Sequence, residues 1–103
     1  MFDPKACQDM TQLRLQIDQI DRALVALLAD RAAHIDRAID LKPGEGLPAR
    51  IEARVEDVLA RVQSEAALQG MDPDLARAIW IQLIEWSIAR EERILGTGKD
   101  TKT

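Results

Sequence analysis

The stretch LRLQIDQIDRALVALLADR, residues 13–31, decides the fold of this 103-residue chain. Its large apolar residues recur at steps of three and four, which is the period of an amphipathic helix. They are Leu13, Ile17, Ile20, Leu24, Leu27 and Leu28. The same period continues as far as Pro43-Gly44, a pair that we expect to stop the helix. The sequence therefore predicts a first helix from about Thr11 to Leu41.

Two shorter helices follow. The second is predicted from about Ala49 to Gln69, because its apolar residues keep the helical spacing and Gly70 stands where a helix-ending glycine belongs. The third begins at Asp72-Pro73, an acidic N-cap followed by proline at the first helical position, and continues to about Leu95. The chain is thus expected to be all-α, with one long helix and two shorter ones.

The length of the first helix predicts the assembly. A helix of ~30 residues is ~45 Å long, and two shorter helices cannot cover its whole apolar stripe in a compact monomer. We therefore predict an intertwined homodimer in which the long helices pair; the alternative is a monomeric three-helix bundle with a kinked first helix. The helical domain would span residues 11–95, after an N-terminal arm (1–10) and before a disordered tail (96–103).

Composition excludes several classes of function. A net charge of −4 does not favour nucleic acid or an anionic membrane as a partner. The single cysteine, Cys7, excludes an intrachain disulfide and a cysteine-based metal cluster. No apolar run approaches the ~20 residues of a membrane span, and the start MFDPKACQDM lacks the layout of a secretion signal. We expect a cytoplasmic protein without a metal site.

Cations on the first helix suggest a site for an anion. Arg31 and Lys42 are 11 residues apart, nearly three turns, so they share one face at ~16 Å along the axis. Ile35 and Ala38 lie between them, and two long cationic side chains can lean together over such an apolar floor. Arg14 is ~25 Å from Arg31 and can join the same site only from a second copy of the chain.

The third helix offers a polar pair among apolar residues. Ser87 and Glu91 stand at i and i+4, and therefore on one face, beside Ile84 and Ile88. This arrangement suits a half-buried polar patch in a helical core. The plainer interpretation is that Glu91 pairs with a Lys or Arg of a neighbouring helix.

Helix 2 carries Arg50 and Arg54, also at i and i+4 and so on one side. Either could bind a ligand. Arg54 could equally pair with Asp57 or Glu56 on its own helix, as helical arginines usually do.

The run Leu-Arg-x-x-Ile-Asp-x-Ile-Asp-x-x-Leu-x-x-Leu-Leu-Ala-x-Arg of residues 13–31, followed by Lys42, resembles the first helix of the all-helical chorismate mutases. The similarity extends through Pro48, Arg50 and Arg54 into the sequence Ile-Glu-Trp-Ser of residues 84–87. It covers about residues 7–95, and the helix 1 motif is its most specific part.

The resemblance implies an isomerase that converts chorismate to prephenate in aromatic amino-acid biosynthesis, with a small dicarboxylate as its ligand. Such a pericyclic reaction requires no metal or cofactor. The implied dimer has two sites, each built from both chains. Arg14 from the partner and Arg31 would hold the substrate carboxylates, and Lys42 would bond a carboxylate and the ether oxygen. The resemblance also places Arg54 near the ring, Ser87 close to the substrate and Glu91 at the ether oxygen, with Lys42, Glu91 and Arg31 as the catalytic group. The apolar residues expected to complete the substrate site are Ile35, Val55, Ile84 and Ile88.

Val55 departs from the family pattern, because many mutases have a glutamate there that bonds a substrate hydroxyl. In this respect the chain resembles isochorismate-pyruvate lyase, which gives salicylate and pyruvate, and that activity is the first alternative. A mutase acting on an amino-substituted chorismate is a second. A non-enzymatic helical dimerisation module is the alternative from another class.

Glu91 is the other departure, since many relatives have glutamine facing the ether oxygen. An ionised carboxylate would repel that oxygen, whereas a protonated one could donate to it. Burial beside Ile84 and Ile88 favours the neutral form, and a nearby Lys42 opposes it. We predict that activity is highest at acidic pH.

Overall fold

The computed structural model describes residues 3–96, which form three α-helices and no strand. Helix α1 spans Met10–Glu45, α2 spans Glu52–Gln69 and α3 spans Pro73–Leu95, after a short 3₁₀ helix over Pro4–Ala6. The predicted all-α class with one long and two shorter helices is confirmed. Apart from Gly96, the predicted disordered tail lies outside the described residues.

The chain divides into two units, residues 1–34 and 35–103, and the border falls within α1. In the first unit the Asp9 side chain caps α1 by accepting a hydrogen bond from the Gln12 amide at 2.9 Å. No residue between 3 and 34 is buried. Its large apolar side chains are 40–66% exposed from Leu15 to Leu28. The apolar stripe of the sequence is therefore present but uncovered within one chain.

The second unit has a core of its own. Leu59 of α2 packs with Ile84 and Ile88 of α3, and four half-buried side chains surround this cluster. They are Val55, Val58, Trp80 and Ile81. Because only three residues join α2 to α3, the two helices form an antiparallel hairpin.

The hairpin turn follows its local signals. Gly70 takes a left-handed conformation, φ 79° and ψ 20°, and the Met71 amide donates to Ala66 at 2.8 Å, which together close α2. Asp72 accepts from the Asp74 amide at 2.8 Å and Pro73 occupies the first helical position, so α3 begins and ends as predicted.

The expected stop of the first helix at Pro43-Gly44 is wrong, because α1 continues to Glu45 with Pro43 inside it. In the last turn a proline removes only its own amide, while its carbonyl still accepts, here from Gly46 at 3.2 Å. Gly46, with φ 68°, then ends the helix.

The predicted start of the second helix at Ala49 is also wrong, since α2 begins at Glu52. Ile51 precedes it in an extended conformation without a side-chain cap. Ala49 instead belongs to the linker of residues 46–51, where it is buried and its carbonyl accepts from the Lys42 side chain. A tertiary contact therefore takes this residue out of the helix.

None of the helices within residues 3–96 is both long and apolar enough to cross a membrane.

Candidate active site

An ion pair that is largely shielded from solvent joins α1 to α3. Lys42 lies in the last turn of α1, and its Nζ is 2.6 Å from Oε1 of Glu91. Their side chains are only 16% and 5% exposed. Nζ also donates to the Ala49 carbonyl at 2.8 Å. The cation is thus held from two sides, by α3 and by the linker.

The Glu91 carboxylate is not fully satisfied by this contact. Oε1 faces the Lys42 ammonium group at 2.6 Å, and no other described residue donates to it. A carboxylate oxygen has two lone pairs, so the buried Oε1 can accept a further hydrogen bond. Oε1 is therefore an acceptor that a proton or a ligand donor would satisfy.

Ser87 lies one turn before Glu91 on α3, and both residues are buried. The Ser87 hydroxyl donates to the Leu83 carbonyl at 2.8 Å. Ile84 and Ile88 of the same helix are members of the core cluster with Leu59. The polar pair thus lies in a buried, apolar setting, as the spacing along helix 3 predicted.

Val55 lies on α2 and packs against the core cluster of Leu59, Ile84 and Ile88. This contact explains why an apolar residue, Val55, suits a position at which many chorismate mutases have glutamate. Ile35, at the start of the second unit, is half-buried.

Arg54 is not part of this group. Its guanidinium is exposed and lies 3.1 Å from Asp57, the partner on its own helix that the sequence offered as the alternative. Asp57 also pairs with Arg61 at 2.9 Å. Hydrogen bonds from Arg61 first, and then from Arg54, lower the pKa of the Asp57 carboxyl. The α2 arginine is therefore engaged at the surface of the second unit, not with Lys42 and Glu91.

Arg14 and Arg31 belong to the first unit. Arg14 is exposed, and Arg31 is half-buried. Their parts in a substrate site stay predictions.

An ion pair that the sequence did not reveal ties α1 to α3. Arg90 reaches both carboxylate oxygens of Asp36, at 2.5 and 3.1 Å, and its guanidinium carbon lies 5.6 Å from the Trp86 ring centre. The hydrogen bond from Arg90 lowers the pKa of Asp36. The two residues are 54 positions apart, so no local pattern connects them.

A second such pair ties the linker to α3. Arg50 lies 2.5 Å from Glu85 of α3 and 3.2 Å from Glu52 of α2. Hydrogen bonds to Glu85 and then to Glu52 raise the pKa of Arg50. Arg50 directly follows Ala49, whose carbonyl holds Lys42. The sequence placed Arg50 on one side of helix 2 and gave no sign of its partner on helix 3.

A cavity of about 290 Å³ lies at the other end of the hairpin, near the Gly70 turn. Ala76 and Trp80 form its α3 side. Ala76 is ~22 Å from Glu91 along the helix, so this cavity does not include the buried pair. No group of three or more His, Cys, Asp and Glu side chains within residues 3–96 is placed to hold a metal ion.

The fold and the Lys42–Glu91 pair define an all-helical domain with a lysine held between the end of its first helix and its third helix. Residues 13–92 match the family described as chorismate mutase type II, and the chain belongs to that family. It is similar to the T-protein of Enterobacter agglomerans, with 34% identity over 83 residues, which is 81% of this chain and 22% of that protein. The chain thus spans about a fifth of the length of this relative.

Proposed function

We propose that this chain is a chorismate mutase that converts chorismate to prephenate, within aromatic amino-acid biosynthesis. Membership of the chorismate mutase type II family supports the activity. The structural observation that carries the proposal is the half-buried Lys42, whose Nζ is held by the Ala49 carbonyl and faces Glu91 Oε1. The site is built for an anionic substrate with an oxygen that gains negative charge.

The reaction breaks a C–O ether bond while a C–C bond forms in the same molecule, so no proton or group passes to the protein. The protein's contribution is to hold the substrate in its reactive shape and to stabilise the charge that grows on the ether oxygen. An ammonium group has three donors, and the Ala49 carbonyl takes one of those of Lys42. A remaining donor serves the ether oxygen.

Glu91 is proposed as the second group at that oxygen. A protonated Glu91 donates to the ether oxygen, whereas an ionised one repels it. Its burial and its position against the Lys42 ammonium group support a place for its side chain at the reacting oxygen. Activity is then highest at acidic pH, and Glu91→Gln, which carries a permanent donor, flattens the pH profile while it keeps activity. An inactive Glu91→Gln enzyme would contradict this role.

The proposal includes a homodimer with two sites. The support is the first unit, in which no described residue is buried and the apolar stripe of α1 is exposed. We propose that a second copy of the chain packs against this apolar stripe and buries it. Arg14 of that copy, together with Arg31, would bind the substrate carboxylates, and this assignment rests on the family resemblance. Arg54 is proposed near the ring, for which it must leave Asp57.

A paired assay of chorismate and isochorismate tests the activity. We expect prephenate from chorismate, and a fall of about 100- to 1000-fold in kcat/KM for Lys42→Ala. Circular dichroism controls for folding, because Lys42→Ala leaves the Glu91 carboxylate buried without its cation. Salicylate and pyruvate from isochorismate, without prephenate, would assign the lyase that Val55 suggested.

If neither substrate turns over and a chorismate-like dicarboxylate does not raise the melting temperature, the chain is a dimerisation module instead. If only an amino-substituted chorismate turns over, the chain is a mutase for that analogue. Cytoplasmic localisation stays a prediction, which cell fractionation tests.

A further inference from the structure

We propose that the Arg50–Glu85 ion pair is a clasp that fixes the linker of residues 46–51 on α3 and thereby positions the Lys42 ammonium group for its ligand. The inference rests on the proposed function, since it assigns a positioning residue to that site. Arg50 acts through the Ala49 carbonyl and not by contact with the substrate.

Two groups of different rigidity hold the Lys42 ammonium group. A lysine side chain is long and flexible, so its ammonium position depends on the groups around it. Glu91 comes from α3, a rigid helix, whereas the Ala49 carbonyl comes from the linker. One of the two groups that position Nζ is therefore only as well fixed as the linker backbone.

The backbone hydrogen bonds of the linker lie at its ends. The Gly46 amide donates to the Pro43 carbonyl at 3.2 Å and the Leu47 amide donates to the Lys42 carbonyl at 3.0 Å, which fixes the first residues of the linker on α1. Leu47 and Pro48 are exposed. At the other end, Ile51 caps α2 without a side-chain hydrogen bond. Local structure alone does not fix Ala49.

The Arg50 guanidinium group contacts two helices at once. One guanidinium nitrogen contacts Glu85 on α3 at 2.5 Å, and another contacts Glu52 in the first turn of α2 at 3.2 Å. The planar fork of arginine suits such a double contact better than a lysine ammonium does. A single side chain thus joins the linker, α2 and α3 at the residue directly after Ala49.

The clasp is exposed, at 38% for Arg50 and 52% for Glu85. An ion pair of this kind contributes little to global stability. Its loss should therefore leave the core intact and act locally, which makes the proposal testable in folded protein.

The test compares Arg50→Ala and Glu85→Gln with the matched control Arg37→Ala, which removes an exposed ion pair with Asp40 away from the linker. We expect both clasp variants to lose about tenfold in kcat, with little change in KM or melting temperature. Arg50→Lys, which keeps the charge but not the fork, should regain part of the loss. The control should behave as the wild type.

A second measurement does not depend on turnover. The rate of Lys42 acetylation by acetic anhydride, followed by peptide mass spectrometry, reports how firmly the ammonium group is held. We expect faster acetylation of Lys42 in both clasp variants and no change in Arg37→Ala, with Lys5 as the internal reference.

The outcomes separate the two proposals. Unchanged kcat and unchanged acetylation in Arg50→Ala overturn the clasp. A fall in kcat with unchanged acetylation also overturns it, because Arg50 would then act without moving Lys42. If the wild type turns over no chorismate but Lys42 is acetylated faster in the clasp variants, the clasp stands and the proposed mutase activity does not.

Discussion

The two units of the chain contain the same apolar residue types but differ in how far these residues are buried. In the second unit Leu59, Ile84 and Ile88 are buried against one another, and the charged pair Lys42–Glu91 is largely shielded from solvent. In the first unit the leucines and isoleucines of α1 between residues 15 and 28 are exposed. A helical period therefore specifies the helix and its apolar stripe, but not the surface that covers the stripe.

The largest effect is expected in the core of the second unit. Leu59→Ala should lower the free energy of unfolding by about 2–5 kcal/mol, because it removes buried methyl groups and leaves a cavity. Leu68→Ala, on the same helix at an exposed position, should change it by less than about 0.5 kcal/mol. Urea unfolding followed by circular dichroism measures both. Equal costs at the two positions would show that the α2–α3 core is not as described.

An intermediate effect is expected for Leu24→Asp in the first unit. If a second copy covers this half-exposed leucine, the buried charge should weaken the dimer by at least about 100-fold in its dissociation constant. Sedimentation equilibrium measures the molar mass against protein concentration. Leu68→Asp, which adds the same charge at a position exposed in the second unit, is the control and should leave the mass unchanged. If the wild-type protein is a monomer, no second copy covers the apolar residues of the first unit, and the proposed dimer is wrong.

The smallest effect concerns the tie between α1 and α3. Arg90 lowers the pKa of Asp36 below its ordinary value of 3.8, so the ionised carboxyl is favoured in the folded protein. The resulting stability is present above the unfolded pKa and is lost as the pH falls through the lower, folded pKa. Asp36→Asn should therefore melt only slightly below the wild type near about pH 6, and the gap should close as the pH falls below the lowered pKa of Asp36. A gap that persists at the lowest pH would indicate lost packing instead.

The sequence predicted best those features that local chemistry decides. Asp72-Pro73 starts α3 and Gly70 ends α2, because capping and a positive φ depend on a few adjacent residues. The prediction failed at Pro43 and at Ala49, where a carbonyl in the last turn and a lysine from another element decide the boundary.

The candidate site divides in the same way. The i, i+4 spacing placed Ser87 and Glu91 on one buried face, since helix geometry alone requires it. The ion pairs Arg90–Asp36 and Arg50–Glu85 join residues 54 and 35 positions apart, and no periodicity encodes such distances. Only the family resemblance, together with the general expectation that a buried acid pairs with a cation, predicted that Lys42 lies close to Glu91.

The buried Lys42–Glu91 pair also has a consequence for how the fold responds to selection. A charged pair in a helical core is often less stabilising than two well-packed apolar side chains of the same volume. A chain selected for thermal resistance alone would drift towards methionine and leucine at these two positions. In the proposed mutase these two charges serve the reaction at a cost in stability, so thermostabilising redesign should leave them unchanged.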